Sequence, residues 1–185
     1  MKIKEEFFFI NYFLEINKKI NCIDSNKLEE ISNLLLKTSN NNNKVIIVGN
    51  GGSASIADHL TVDFINAAGI RALNFNNSSI ITCFSNDYGY ENWVAKALDC
   101  YANSGDVVIF ISSSGQSKNM IIGAERAKYI GLEIITLTGF LPNNPLRGMG
   151  NINFWVDSKT YNVIEATHNI WLLSVVDYII SEKNG

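Results

Sequence analysis

The stretch Val45-Ile46-Ile47-Val48-Gly49-Asn50-Gly51-Gly52-Ser53 decides the fold. Its first four residues are apolar without alternation, which predicts a short strand buried on both faces, over Val45 to Val48. The glycines that follow let the backbone turn with positive φ and let a ligand approach closely. From Ser53 to about Asn66 the pattern is helical. A helix starting there aims free N–H groups and its positive end at the turn, which favours an anion. A tight strand-to-helix turn without a ligand is the plainer reading of the same residues. The turn is not GxGxxG and lacks the Lys of a Walker loop, which argues against dinucleotides and ATP.

Downstream, the same alternation repeats. Arg71–Phe75, Val107–Ile111, Ile134–Leu137 and Ile152–Val156 read as strands. Ser78–Ser85, Glu91–Ala102, Ser117 to Ile130 and a long closing segment from Asn162 to about Ser181 read as helices. Strand–helix alternation predicts an α/β three-layer sandwich, with a five-stranded parallel sheet covered by helices on both faces. In such sheets ligands bind beyond the carboxyl ends of the strands. Upstream, Glu5–Lys19 and Ser25–Thr38 predict an N-terminal helical pair. Ser25 can cap the second of these, whose buried stripe is Leu28, Ile31, Leu34 and Leu35. The first carries Phe7, Phe8, Phe9, Ile10, Phe13, Leu14 and Ile16 around most of its circumference, which predicts a subunit interface. The 185 residues fit one domain, with residues 1–40 used in oligomerisation and residues 44–185 forming the α/β core.

A second polar turn, Ser112-Ser113-Ser114-Gly115-Gln116-Ser117, also follows a strand and precedes a helix. One serine suffices for a helix cap, and this turn has four around one glycine. Such a set of neutral donors can hold a phosphate monoester without Arg or Lys. That matters here, because the formal net charge is -3 and Lys and Arg form no block, which disfavours nucleic acid and anionic membranes. Cys22, Cys83 and Cys100 are odd in number and widely spaced, so free thiols in a reducing cytosol are expected. The start places Glu5 and Glu6 directly before an apolar run, unlike a signal peptide, and no segment approaches the ~18 apolar residues of a membrane span. A cytoplasmic protein is expected.

The motifs Val48–Ser53, Asn86-Asp87-Tyr88-Gly89-Tyr90, Gly105-Asp106-Val107, Ile111–Ser117 and Ile134–Gly139 together resemble the SIS (sugar isomerase) domain family, and within it the phosphoheptose isomerases. These enzymes interconvert sedoheptulose 7-phosphate and D-glycero-D-manno-heptose 7-phosphate, which implies a role in lipopolysaccharide or capsule heptose synthesis. The resemblance implies that Ser53, Ser112, Ser114 and Ser117, with Ser113 beside them, grip a sugar phosphate. It implies that Asn50, Gly51 and Gly52 line the sugar, and that the chain forms a homotetramer with shared active sites. It implies no nucleotide cofactor.

Aldose–ketose isomerisation passes through an enediol and needs a base, an acid or electrophile at oxygen, and shelter from water. Two clusters offer such groups. His59 and Asp63 lie four apart on the helix leaving the first turn, on one face. Glu165 and His168 lie three apart near the start of the closing helix. Either can be an ordinary helix pair; the place of His59 beside a phosphate-type turn favours function for the first, whereas the second reads equally both ways. Asp63 or Glu165 is the expected base, with His168 as acid–base partner, and Asp87 is a candidate hydroxyl ligand or base orienter. In the phosphoheptose isomerases, a His and a Glu four residues on, with a Gln and a His eight residues on in the closing helix, can bind zinc. Here His59 matches, Asp63 stands for the Glu, and Ile164 and Leu172 occupy the other two positions. His59 and Asp63 are thus candidate metal ligands in an incomplete set. A variant isomerase, an isomerase of another phosphosugar, and a non-catalytic phosphosugar sensor or assembly factor all remain open, and a flavodoxin-like or Rossmann nucleotide binder shares the layer order.

Overall fold

The computed structural model describes residues 2–184. Met1, Gly185 and the side chains of residues 2–6 and 184, which include the acidic start weighed against a signal peptide, lie outside the described residues. The elements run α1 (Lys2–Ile20), α2 (Ser25–Asn40), β1 (Val45–Gly49), α3 (Gly52–Asn66), β2 (Ala72–Asn74), α4 (Ser78–Tyr88), α5 (Trp93–Tyr101), β3 (Val107–Ser112), α6 (Lys118–Ile130), β4 (Glu133–Thr138), a 3₁₀ turn (Leu146–Met149), β5 (Ile152–Trp155) and α7 (Tyr161–Asn184).

All five strands pair in parallel, in the order β2-β1-β3-β4-β5. Continuous apolar strands need cover on both faces, and they receive it. Val45, Ile47, Ile109 and Leu137 pack with Leu35 of α2, Leu60 of α3 and Val175 of α7 on one side. Ile46, Val48, Val108 and Phe110 pack with Trp93 and Leu98 of α5 and Ala124 of α6 on the other. The chain leaves β1 towards β2 on one side and returns to β3 on the other. That reversal opens a crevice beyond the carboxyl ends of β1 and β3, where both polar turns lie.

Several local expectations are corrected. Asp24, not Ser25, caps α2: its carboxylate accepts from the Asn26 N–H at 3.0 Å. The helix after the first turn begins at Gly52, one residue earlier than expected. α4 continues through Asp87 to Tyr88, because Asn77 caps its start and Gly89, at φ 87°, ends it. By length and composition α7 is apolar enough to cross a membrane, contrary to the reading that no segment approaches a span. Its apolar residues are used within the core, where Ile164, Trp171, Leu172, Val176 and Ile179 are buried.

α1 is anchored at its carboxyl end, where the Trp171 indole N–H donates to the Ile20 carbonyl at 3.0 Å. Along its length Phe7, Phe8, Phe9, Phe13 and Leu14 remain more than half exposed. At the amino ends of β1 and β3, Lys44 and Asp106 form a buried ion pair.

Candidate functional site

Gly51 carries the first turn at φ 55°, and the Ser53 side chain behind it is buried. Gly52 faces the start of α7. A methyl group at Gly52 would lie 2.3 Å from the Glu165 carboxylate, so a larger residue there would displace the carboxylate from this position. On its other side Glu165 accepts from the Ser113 hydroxyl at 3.4 Å. Glu165 therefore sits between the two polar turns, both of which are distant from it in the chain.

In the second turn Gly115 takes φ 63° and packs against Asn144, leaving no room for a Cβ. Ser112 and Ser113 are buried, and the Ser114 hydroxyl accepts from the Gln116 N–H at 3.3 Å. Ser117 occupies the N-cap position of α6, yet its hydroxyl makes no capping bond. The hydroxyl that the plain reading would assign to a cap is free for another partner.

A cleft of about 340 Å³ opens beside Glu165, lined by Gly52, Ser55, Ile56, His59, Ala166 and Asn169 as well. It brings together one member of each predicted pair, His59 and Glu165. Asp63 holds the His59 ring, with Nε2 and Oδ2 3.2 Å apart, as the four-residue spacing predicts.

His168 does not reach this cleft. Its side chain is fully buried, Nε2 lies 3.1 Å from the Thr138 carbonyl oxygen, and Nδ1 has no partner among the described residues. Burial lowers its pKa to about 4, with the Thr138 contact opposing the shift. Three residues along a helix rotate a side chain by about 60°, enough here to turn it from the cleft to the end of β4. The expected acid–base role of His168 is thereby corrected. Asn169, one full turn after Glu165, keeps the cleft face instead, and its shielded Oδ1 has no partner among the described residues. Asp87 is also displaced from its expected place: it stands exposed on α4, bonded to Asn86 at 2.9 Å and to the Cys83 thiol. Tyr90, three residues on, reaches the first turn, donating to Asn50 Oδ1 at 3.3 Å.

The zinc set implied by the resemblance does not fit these residues. Ile164 and Leu172 are apolar and buried, and among the described residues no three His, Cys, Asp or Glu side chains come together.

The SIS domain family model matches residues 8–139. The chain belongs to the SIS domain family. It is 31% identical to the phosphoheptose isomerase of Fusobacterium nucleatum, over 94% of this chain and 89% of that one. It is 35% identical to the phosphoheptose isomerase of Thermodesulfovibrio yellowstonii, over 91% and 80% of the two chains. The solved phosphoheptose isomerase from Neisseria gonorrhoeae superposes with a TM-score of 0.87, at 24% identity, covering 96% of this chain and 98% of the other. The doubly wound parallel sheet of this SIS domain is thus the fold of that structure.

Asn169, Tyr90 and Asn119 were missed by sequence reasoning. The four-residue step from Glu165 is a signal that finds Asn169. Tyr90 lies in the quoted motif Asn86–Tyr90, but nothing local shows that it or Asn119 reaches Asn50, which is distant in the chain.

Proposed function

We propose that this SIS domain is an aldose–ketose isomerase that converts sedoheptulose 7-phosphate to D-glycero-D-manno-heptose 7-phosphate. One observation carries the reading: the Glu165 carboxylate lies between Gly52 of one turn and Ser113 of the other, in the cleft that holds His59. The substrate class follows from the relatives named phosphoheptose isomerases.

Ser53, Ser112, Ser114 and Ser117, with the backbone amides at the starts of α3 and α6, hold the phosphate. The open-chain ketose then places C1 beside Glu165. Glu165 removes a proton from C1, the electron pair forms a C1–C2 double bond, and the C2 oxygen takes a proton from His59. The enediol collapses as His59 recovers a proton from the C1 hydroxyl and Glu165 returns its proton to C2. Asp63 orients the His59 ring. This chemistry needs no metal, in keeping with the two apolar positions at Ile164 and Leu172. The exposed apolar face of α1 supports a homotetramer that covers it and shelters the cleft from water. Such an enzyme works in the cytoplasm, supplying heptose for lipopolysaccharide or capsule.

Incubation with sedoheptulose 7-phosphate, followed by NMR with and without chelator, tests the reading. The expected result is chelator-insensitive formation of the aldose 7-phosphate. Absence of turnover with a clear melting shift would replace it with a pocket that binds without this chemistry.

A further inference from the structure

We infer that Asn119 is a positioning residue that acts through Asn50, locking the first turn to the second so that the sugar end of the ligand meets a single oriented N–H. The inference rests on the phosphosugar reading of the site. Asn119 lies in the first turn of α6, directly after the serine-rich turn, and is 2% exposed. Its Nδ2 donates to Asn50 Oδ1 at 3.0 Å, and Asn50 Nδ2 donates back to Asn119 Oδ1 at 3.0 Å. This closed amide pair joins the first turn to the start of α6, 69 residues apart in the chain. The Tyr90 hydroxyl adds a second donor to Asn50 Oδ1 at 3.3 Å.

A side-chain amide offers two acceptor sites and two N–H donors. On Asn50 both acceptor sites are taken, by Asn119 and Tyr90, and one N–H is taken by Asn119. One N–H remains. Asn50 can therefore serve the sugar only as a donor, to a carbonyl or hydroxyl oxygen. Two reciprocal hydrogen bonds and the Tyr90 contact fix the plane of the Asn50 amide, so the direction of that N–H is set by Asn119 and not by the ligand. Asn119 itself is too buried to touch the sugar.

The test is a double-mutant cycle on the full-length protein, read by calorimetric affinity for sedoheptulose 7-phosphate and, separately, for inorganic phosphate. Asn50→Ala and Asn119→Ala are each expected to weaken the sugar phosphate by about three- to tenfold, the range of one neutral hydrogen bond. Inorganic phosphate affinity should change by less than about twofold, because the serine hydroxyls are untouched. The double variant should bind no worse than Asn50→Ala alone. Asn119→Asp keeps the volume and the acceptor but cannot donate to Oδ1, so it should reproduce the loss even if the alanine variant folds poorly. Additive effects, unchanged sugar-phosphate affinity, or equal losses for both probes would overturn the inference. Wild-type affinity and turnover in the same samples report on the functional reading independently. A wild type that binds sugar phosphate without turning it over leaves the cycle interpretable, and one that binds neither probe removes both.

Discussion

β1 and β3 lie side by side in register from Val45 opposite Val107 to Gly49 opposite Ile111, and polar groups gather at both of their ends. At the amino ends every strong acceptor is used. Asp106 Oδ1 accepts from the Lys44 N–H at 3.0 Å, while Oδ2 accepts from the Asn103 N–H at 2.8 Å and from the Lys44 ammonium. At the carboxyl ends the polar groups are more numerous and less satisfied. Ser117 caps nothing, Glu165 has one long contact, and Asn169 Oδ1 has none among the described residues. Burial makes an unpaired polar group costly, so several under-satisfied groups gathered at one end of the sheet point to a ligand that completes them. The satisfied end reads as structure and the unsatisfied end as a site.

The largest expected effect separates the two ends by activity. Glu165→Gln should lower kcat by about 10²- to 10⁴-fold, the usual range for a general base, with the unfolding midpoint nearly unchanged. A variant that unfolds readily but retains turnover when folded would place Glu165 with the structural groups. Next comes the other end. Asp106→Ala leaves the buried Lys44 ammonium alone and should cost about 3–5 kcal/mol in denaturant unfolding, with kcat per folded molecule preserved. Replacing both partners, as Lys44→Met with Asp106→Leu, should recover only part of that loss. The Lys44 and Asn103 N–H groups would still lack their acceptor.

His168 sharpens the comparison, since it lies beside the site but is sealed like the ion pair. Its folded pKa of about 4 lies below the ordinary 6.5. Above pH 6.5 the ring is neutral in both states and contributes no pH dependence. As pH falls from 6.5 to 4 only the unfolded chain takes the proton, so stability should drop, by about 3 kcal/mol in total. Below pH 4 both states are protonated and this loss levels off. Denaturation midpoints across pH 4–7 should show this slope reduced by one proton in His168→Gln. An equal slope in the variant would mean that the ring titrates freely. The smallest effect concerns Ser117. Removing an N-cap serine normally costs about 1 kcal/mol of stability. Because this hydroxyl caps nothing, Ser117→Ala should leave stability within a few tenths of that scale and weaken sugar-phosphate affinity about three- to tenfold. A normal capping loss with unchanged affinity would move Ser117 to the structural side.

By itself the sequence determined the layer order. Runs such as Val45–Val48 and Val107–Ile111 are apolar on both faces, glycines and serines interrupt them at strand ends, and each such signal is local. It also determined the composition of both turns and the His59–Asp63 pair, because residues one helical turn apart meet wherever the helix lies. Tertiary structure alone decided which face of α7 meets the turns. Glu165 and His168 are only three residues apart, yet one enters the cleft and the other the core, and the helix period cannot say which without the sheet. The same holds for the amide pair of Asn50 and Asn119 and for the close approach of Glu165 to Gly52. Those contacts are made between segments distant in sequence, and their geometry is set by how the sheet stacks its strands and turns α7 against them.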